Sequence, residues 1–114
     1  MRIAVASCGL EIAPCFSQCL NFNYYTTKSC EIVDSQNIPA QGLSGTEYAK
    51  LMDSIDVDTL ICGSIPPATR EAFEAYGIGI VAGAQGNALK AAEYYVANRA
   101  QEVLADTDEE TEDC

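Results

Sequence analysis

The most informative segment for the fold is Thr59-Leu60-Ile61-Cys62-Gly63-Ser64-Ile65-Pro66-Pro67. Its first four residues are apolar or β-branched and show no polar alternation, as in a strand that is buried on both faces. Gly63-Ser64 ends that strand, and the proline pair opens a helix because proline is tolerated in the first turn of a helix. The segment therefore predicts a strand–helix unit of a parallel sheet.

Apolar strands are also predicted on either side of this unit, at residues 2–7 and 78–82. Residues 22–27 and 30–34 predict a hairpin of two strands, which adds antiparallel pairing at one side of the sheet. The sequence therefore predicts an α/β fold with a mixed sheet and helices on both faces. The other predicted elements are a loop over 35–45, a helix over Glu47–Ile55 capped by Thr46, a helix from Pro66-Pro67 to Gly77, and a helix capped by Asn87 that ends near Asn98 with Leu89 on its inner face.

The charge of the chain is strongly negative and is concentrated at its end. Of 114 residues, 17 are acidic and 6 are basic, for a net charge of −11. We expect one domain over residues 1–98 and an acidic, mostly disordered tail over 99–114. Neither part has the basic surface of a protein that binds nucleic acid or an anionic membrane. The apolar stretch at the start is too short for a secretory signal, which favours a cytoplasmic protein.

The absence of histidine excludes several kinds of active site. A Ser-His-Asp triad, a Cys-His pair and an imidazole zinc site all require a histidine. No pairing of a general base with a nucleophile can be named, so we expect a protein that is not an enzyme. Ligation of a soft metal would fall on the cysteines, which favour ions such as iron, zinc and Cu(I).

Three of the six cysteines, Cys8, Cys15 and Cys19, lie on one predicted loop. Their spacing matches neither a zinc knuckle nor a bacterial ferredoxin, and three thiols would leave one position of a metal open. Cys62, at the end of a buried strand, is either a small core residue or a fourth ligand, and we expect no role for Cys30 or Cys114. The glycine turns after the apolar strands could donate backbone N–H groups to an anionic ligand; the candidates are Gly63, Ser64, Ala84 and Gly86.

Several short motifs resemble those of the dinitrogenase iron–molybdenum cofactor biosynthesis family, the small domain found in NifX and at the end of NifB. The resemblance covers residues 1–97. It is carried by Met1-Arg2-Ile3-Ala4-Val5-Ala6-Ser7, Pro14 with Phe16, Ile61-Cys62-Gly63-Ser64-Ile65 with Pro67, and Gly77-Ile78 through Ala82-Gly83-Ala84 with Gly86.

The resemblance implies a ribonuclease H-like three-layer fold without nuclease activity. Its five strands would lie in the order 3-2-1-4-5, with strand 2 antiparallel. It also implies that the protein binds or carries an iron–sulfur or molybdenum-containing cluster, or its precursor, and exchanges it with donor or acceptor proteins. A homodimer could complete the set of ligands.

The loop departs from the family pattern in its ligand types. The family commonly has Pro-His-Phe-Gly where this chain has Pro14-Cys15-Phe16-Ser17, and often has an acidic residue at the position of Cys8. Cys19 has no counterpart that can be assigned in the family. These changes favour ligation by thiolate, with Cys8 and Cys15 as first ligands, Cys19 as a third and Cys62 in reserve.

Two other functions remain compatible with the sequence. A thiol-based redox or metal-sensing protein could link Cys15 to Cys19 if the loop is helical, because residues four apart share a helix face. Alternatively, the chain is a metal-free protein-interaction domain that uses its acidic tail.

Overall fold

Strand β1, Arg2–Cys8, lies at the centre of the sheet. The computed structural model describes residues 1–29 and 31–106, and for 99–106 it describes the backbone alone. Residues 3–6 of β1 are all fully buried because side chains pack on both faces of the strand. This double coverage accounts for the continuous apolar run near the start of the sequence.

The sheet is mixed and has six strands. Its five main strands lie in the order β4-β3-β1-β5-β6; β3 is antiparallel to both of its neighbours, whereas β5 and β6 continue the sheet in parallel from β1. The strands after β1 are β2 at Glu11–Ile12, β3 at Asn21–Lys28, β4 at Glu31–Pro39, β5 at Thr59–Ile61 and β6 at Gly79–Val81.

The sixth strand corrects the expected count of five. Two-residue β2 folds back onto the end of β1, where Cys8 pairs with Glu11 around the turn Gly9-Leu10. Gly9 has a φ of +71°, a conformation that glycine adopts without a steric cost. So short a pairing leaves no periodic pattern in the sequence, and the segment was predicted as a loop.

Strand β4 is longer than the predicted 30–34 and extends to Pro39, through the first part of the predicted loop over 35–45. It pairs with β3 along its length, with a register shift between Thr26 and Thr27. Most of its side chains are exposed: β4 is an edge strand, and its partly buried Ile32 and Ile38 pack against the two core clusters. An exposed strand needs no apolar alternation, so the polar residues of β4 give no strand signal in the sequence, and the prediction of a loop at these residues is wrong.

The helices cover both faces of the sheet, as predicted. Helices α1, Gly45–Ser54, and α2, Pro67–Ala75, pack on the face that includes Ala4 and Ala6. Helix α3, Ala88–Asp106, packs on the opposite face. Within the described residues, no helix has a stretch of 18 residues apolar enough to cross a membrane.

The start of helix α1 differs from the prediction. Helix α1 is capped by Ser44 and not by Thr46: the Ser44 hydroxyl accepts from the Glu47 amide, and the Glu47 carboxylate accepts from the Ser44 amide. This reciprocal pair satisfies two free N–H groups at the start of the helix. Asn87 caps α3 as predicted, through the Lys90 amide, and Pro67 and Gly77 bound α2 as predicted.

Helix α3 continues to Asp106, beyond the predicted end near Asn98, so the first part of the expected tail is helical. Leu89, expected on its inner face, is 42% exposed; the buried positions are Ala88, Ala92 and Val96. Residues 107–114, with Cys114, and also Cys30, lie outside the described residues. The division at residue 98 stays a prediction.

Replacing the observed cap should destabilise the protein, and replacing the expected one should not. We expect Ser44→Ala to lower the free energy of unfolding by about 1 kcal/mol, because the Glu47 amide at the start of α1 loses the hydroxyl to which it donates. Thr46→Ala, an exposed position in the same turn, is the matched control and should change it by less than about 0.5 kcal/mol. Urea unfolding followed by circular dichroism measures both. Equal losses in the two variants would contradict the assignment of the cap.

Candidate functional site

The candidate site lies at the edge of the sheet where the parallel strands β1, β5 and β6 end. After β1 the chain forms the β2 hairpin, crosses the end of β5 and makes a single 3₁₀ turn at Phe16–Gln18 before entering β3. The segment 13–19, called the thiol loop below, carries Cys15 and Cys19. Cys8 lies beside it at the end of β1. The parallel pairing of β1, β5 and β6 brings the loops that follow these strands to this edge.

The thiol loop is joined to the end of β5 by backbone contacts. The Ser64 amide donates to the Pro14 carbonyl, and the Phe16 amide donates to the Ser64 carbonyl, both at 2.8 Å. A Cβ atom at Gly63 would collide with the carbonyl oxygens of Ala13 and Pro14. Glycine at position 63 therefore allows the loop to approach the strand this closely.

The side chain of Phe16 holds the thiol loop against the core. Its ring is 4% exposed and lies 5.7–5.8 Å, centroid to centroid, from the rings of Phe22, Tyr48 and Phe73. Aromatic contacts of this kind add to the free energy gained by burying the ring. The 3₁₀ turn that follows Cys15 is thereby held at the face covered by α1 and α2.

A group of asparagines, missed at the level of the sequence, holds the turn after Cys8. Asn21 accepts from the Gly9 amide at 2.7 Å and donates to the Gly9 carbonyl, and Asn23 donates to that carbonyl and to the Ser7 hydroxyl. Asn37 accepts from Asn21 at 2.7 Å. The signal that could have revealed the group is the pair of asparagines two residues apart in β3, which places both on one face of the strand.

Cys8 and Cys19 are brought close together. The Cys8 thiol donates to the Gln18 carbonyl, with 3.7 Å between sulfur and oxygen, and that carbonyl is bonded directly to the Cys19 amide nitrogen. Burial, helped by repulsion from Cys8, raises the pKa of the Cys19 thiol to about 11. Both side chains are half-buried. At neutral pH, Cys19 is therefore a protonated thiol beside a second sulfur.

Cys15 and Cys19 do not share a helix face. They flank the 3₁₀ turn as its two caps, and both have extended backbone conformations. The α-helical turn that would bring them onto one face is absent here, because Phe16–Gln18 form a 3₁₀ turn and the two cysteines lie outside it. Cys15 is half-buried and lies opposite Ser64 in an isolated parallel bridge.

Cys62 belongs to the core. It is fully buried among the residues that join the sheet to α1 and α2, and burial raises the pKa of its thiol to about 11, against a smaller opposite effect of Arg70. Its full burial distinguishes it from the half-buried Cys8, Cys15 and Cys19.

Two of the four expected amide donors already have partners. The Ser64 amide donates to Pro14, and the Ala84 amide donates to the Cys62 carbonyl at 3.0 Å. Gly86 contributes its carbonyl to the Ile12 amide. The Gly63 and Gly86 amides, among the described residues, are not used in this way.

The described residues contain no group of three His, Cys, Asp or Glu side chains placed to hold one metal ion. The site therefore consists of a close pair, Cys8 and Cys19, with Cys15 on the thiol loop that also carries Cys19. A ligand bound by all three thiols would require the loop to adjust.

The raised pKa of Cys19 predicts slow alkylation in the folded protein. At pH 8 its thiolate fraction is about a hundredfold below that of a thiol with the ordinary pKa of 9.0, and the greater nucleophilicity of each thiolate recovers part of this. We expect iodoacetamide to label Cys19 about tenfold more slowly in the folded than in the urea-unfolded chain, with the difference shrinking as pH approaches 11. Peptide mass spectrometry measures the rates; equal labelling in the two states at pH 8 would contradict the prediction.

Solved structures share this architecture. PH0822 superposes with a TM-score of 0.79 at 13% identity, covering 86% of this chain and 90% of that one. MJ0327 from Methanocaldococcus jannaschii gives 0.72 at 17%, with 86% and 89% covered. The apo form of the orange protein from Desulfovibrio gigas gives 0.68 at 20%, with 86% and 88% covered. At these identities the likeness establishes the fold alone.

Comparison with protein families identifies the chain more closely. No curated protein matches it. The family model described as dinitrogenase iron-molybdenum cofactor matches residues 1–98, most of the chain, and confirms the resemblance seen in the motifs. The chain therefore belongs to the dinitrogenase iron-molybdenum cofactor family.

Proposed function

We propose that this protein binds or carries an iron–sulfur or molybdenum-containing metallocluster, or its precursor, without acting as an enzyme. The observation that carries the proposal is the presence of three half-buried thiols, Cys8, Cys15 and Cys19, at the ligand-binding edge of a chain from this family. Thiolates are the ligands that iron–sulfur clusters and other soft metal centres prefer.

The state of the thiols suits a cargo that is taken up and passed on. A protonated Cys19 must lose its proton on binding, so uptake becomes more favourable as pH rises. Cys8 is held beside the asparagine group and Cys15 and Cys19 by the anchored thiol loop, and the three thiols do not converge on one position. A site that is not preformed binds less tightly than a closed one, which favours release to an acceptor protein.

The backbone offers a second kind of contact to an anionic cluster. The amide of Gly86, an exposed residue, is the donor best placed in this proposal, because those of Ser64 and Ala84 are engaged within the protein and Gly63 is buried. The net charge of −11 repels an anionic cargo at long range, so local donors and thiols must supply the affinity. Cys62, fully buried, would act as a ligand only if the core opened.

Removing two of the loop thiols should abolish loading. We expect the protein, incubated without oxygen with ferrous iron and sulfide, and in parallel with added molybdate, to acquire metal, acid-labile sulfide and charge-transfer absorption bands. The Cys8→Ser/Cys15→Ser double variant should bind metal only at background level, because two of the three half-buried thiols are gone. Metal and sulfide analysis after gel filtration measures the difference.

Cys30→Ser is the matched control, since it removes one thiol whose chain neighbours Ser29 and Glu31 lie at the opposite edge of the sheet. It should load as the unaltered protein does. Circular dichroism checks that the double variant is folded. Unchanged metal content in the folded double variant would overturn the proposal, as would an unaltered protein that acquires no metal under any of these conditions.

A further inference from the structure

We propose that Cys8 and Cys19 form a reversible disulfide, and that this pair is a site of thiol oxidation on the protein. The pairing differs from the Cys15–Cys19 link that the sequence alone suggested. It is inferred from contacts at the end of β1 and does not depend on the identity of any cluster.

The first argument is distance. The Cys8 sulfur lies 3.7 Å from the Gln18 carbonyl oxygen. A carbonyl oxygen lies about 2.8 Å from the next Cα atom in a trans peptide, so the Cys8 sulfur is no more than about 6.5 Å from the Cys19 Cα. Ser7 pairs with Asn21 across β1 and β3, so the Cys8 and Cys19 backbones leave the sheet from neighbouring positions, and changes of side-chain rotamer can shorten the separation of the two sulfurs.

The second argument is orientation. Cys8 has the same parity in β1 as Ala4 and Ala6, whose side chains point to the face covered by α1 and α2. Cys19 packs against the same core cluster. The two side chains therefore lie on the same side of the sheet, as a disulfide requires.

The third argument is that the backbone holds the two cysteines in place. The Leu20 amide donates to the Ser7 carbonyl at 2.8 Å, which ties the residue after Cys19 to the residue before Cys8. The asparagine group fixes the turn after Cys8, and Phe16 fixes the turn before Cys19. Cys15 lacks an equivalent contact with Cys8, because its backbone faces Ser64.

A low-molecular-weight disulfide such as oxidised glutathione supplies the oxidising equivalents. The Cys8 and Cys19 thiols each lose a proton and together lose two electrons. One sulfur–sulfur bond forms between them, the bond in oxidised glutathione breaks, and two molecules of reduced glutathione leave. If the proposed function holds, this reaction removes two of the three loop thiols from the ligand set, and a thiol reductant restores them.

Peptide mapping tests the pairing without any metal. The chain is incubated with oxidised glutathione, its remaining thiols are alkylated, and it is digested with proteases that cut after Glu11 and after Phe16, which separates Cys8, Cys15 and Cys19 into different peptides. We expect one intrachain linkage, between the peptides of Cys8 and Cys19, which dithiothreitol reverses.

Single variants provide the matched comparison. Cys15→Ser should retain the linkage, whereas Cys8→Ser and Cys19→Ser should lose it and keep the glutathione adduct on the remaining thiol. A link from Cys15 to either partner, a link between chains, or no link at all in the unaltered protein would overturn the inference. Because the readout is a covalent bond, it can fail while metal loading succeeds, and the reverse also holds.

Discussion

The arrangement of the thiols depends on the close contact between the thiol loop and the end of β5. That contact exists because residue 63 has no side chain: a Cβ atom there would occupy the space of the Ala13 and Pro14 carbonyl oxygens. The resulting hydrogen bonds between Pro14, Ser64 and Phe16 place the loop across the sheet edge. They also bring the Phe16 ring into the aromatic group of the core, so the core and the candidate site share one anchor.

Burial separates the cysteines into two classes. Cys62 is fully buried and behaves as a small apolar residue of the core. The raised pKa of its thiol keeps it protonated. Cys8, Cys15 and Cys19 are half-buried, so a ligand can reach their thiols. Cys19 is intermediate: its pKa is raised as far as that of Cys62, yet the residue lines a cavity with Tyr48 and Thr69 that opens to the surface. The two thiols therefore have similarly raised pKa values but differ in their accessibility to a ligand.

Much of the fold could be predicted because strong local signals agree with the tertiary structure. The uninterrupted apolar residues of β1 and β5, the proline pair before α2 and Asn87 before α3 each specify their element directly. The errors arise where the signal is tertiary. Strand β4 forms because β3 offers it a partner, β2 forms because two residues fold back onto β1, and the choice of Ser44 over Thr46 depends on the reach of one glutamate.

The site was harder to predict than the fold for the same reason. Sequence spacing favoured Cys15 and Cys19 as a pair, since only separation along the chain was visible. In the structure the chain between them turns, and β3 returns beside β1, so Cys8 and Cys19 meet although eleven positions apart. The two sulfurs belong to segments that are held independently, Cys8 by asparagine side chains and Cys19 by an aromatic anchor. A bond between the sulfurs or a metal shared by them would join those segments, and either one would consequently oppose the other.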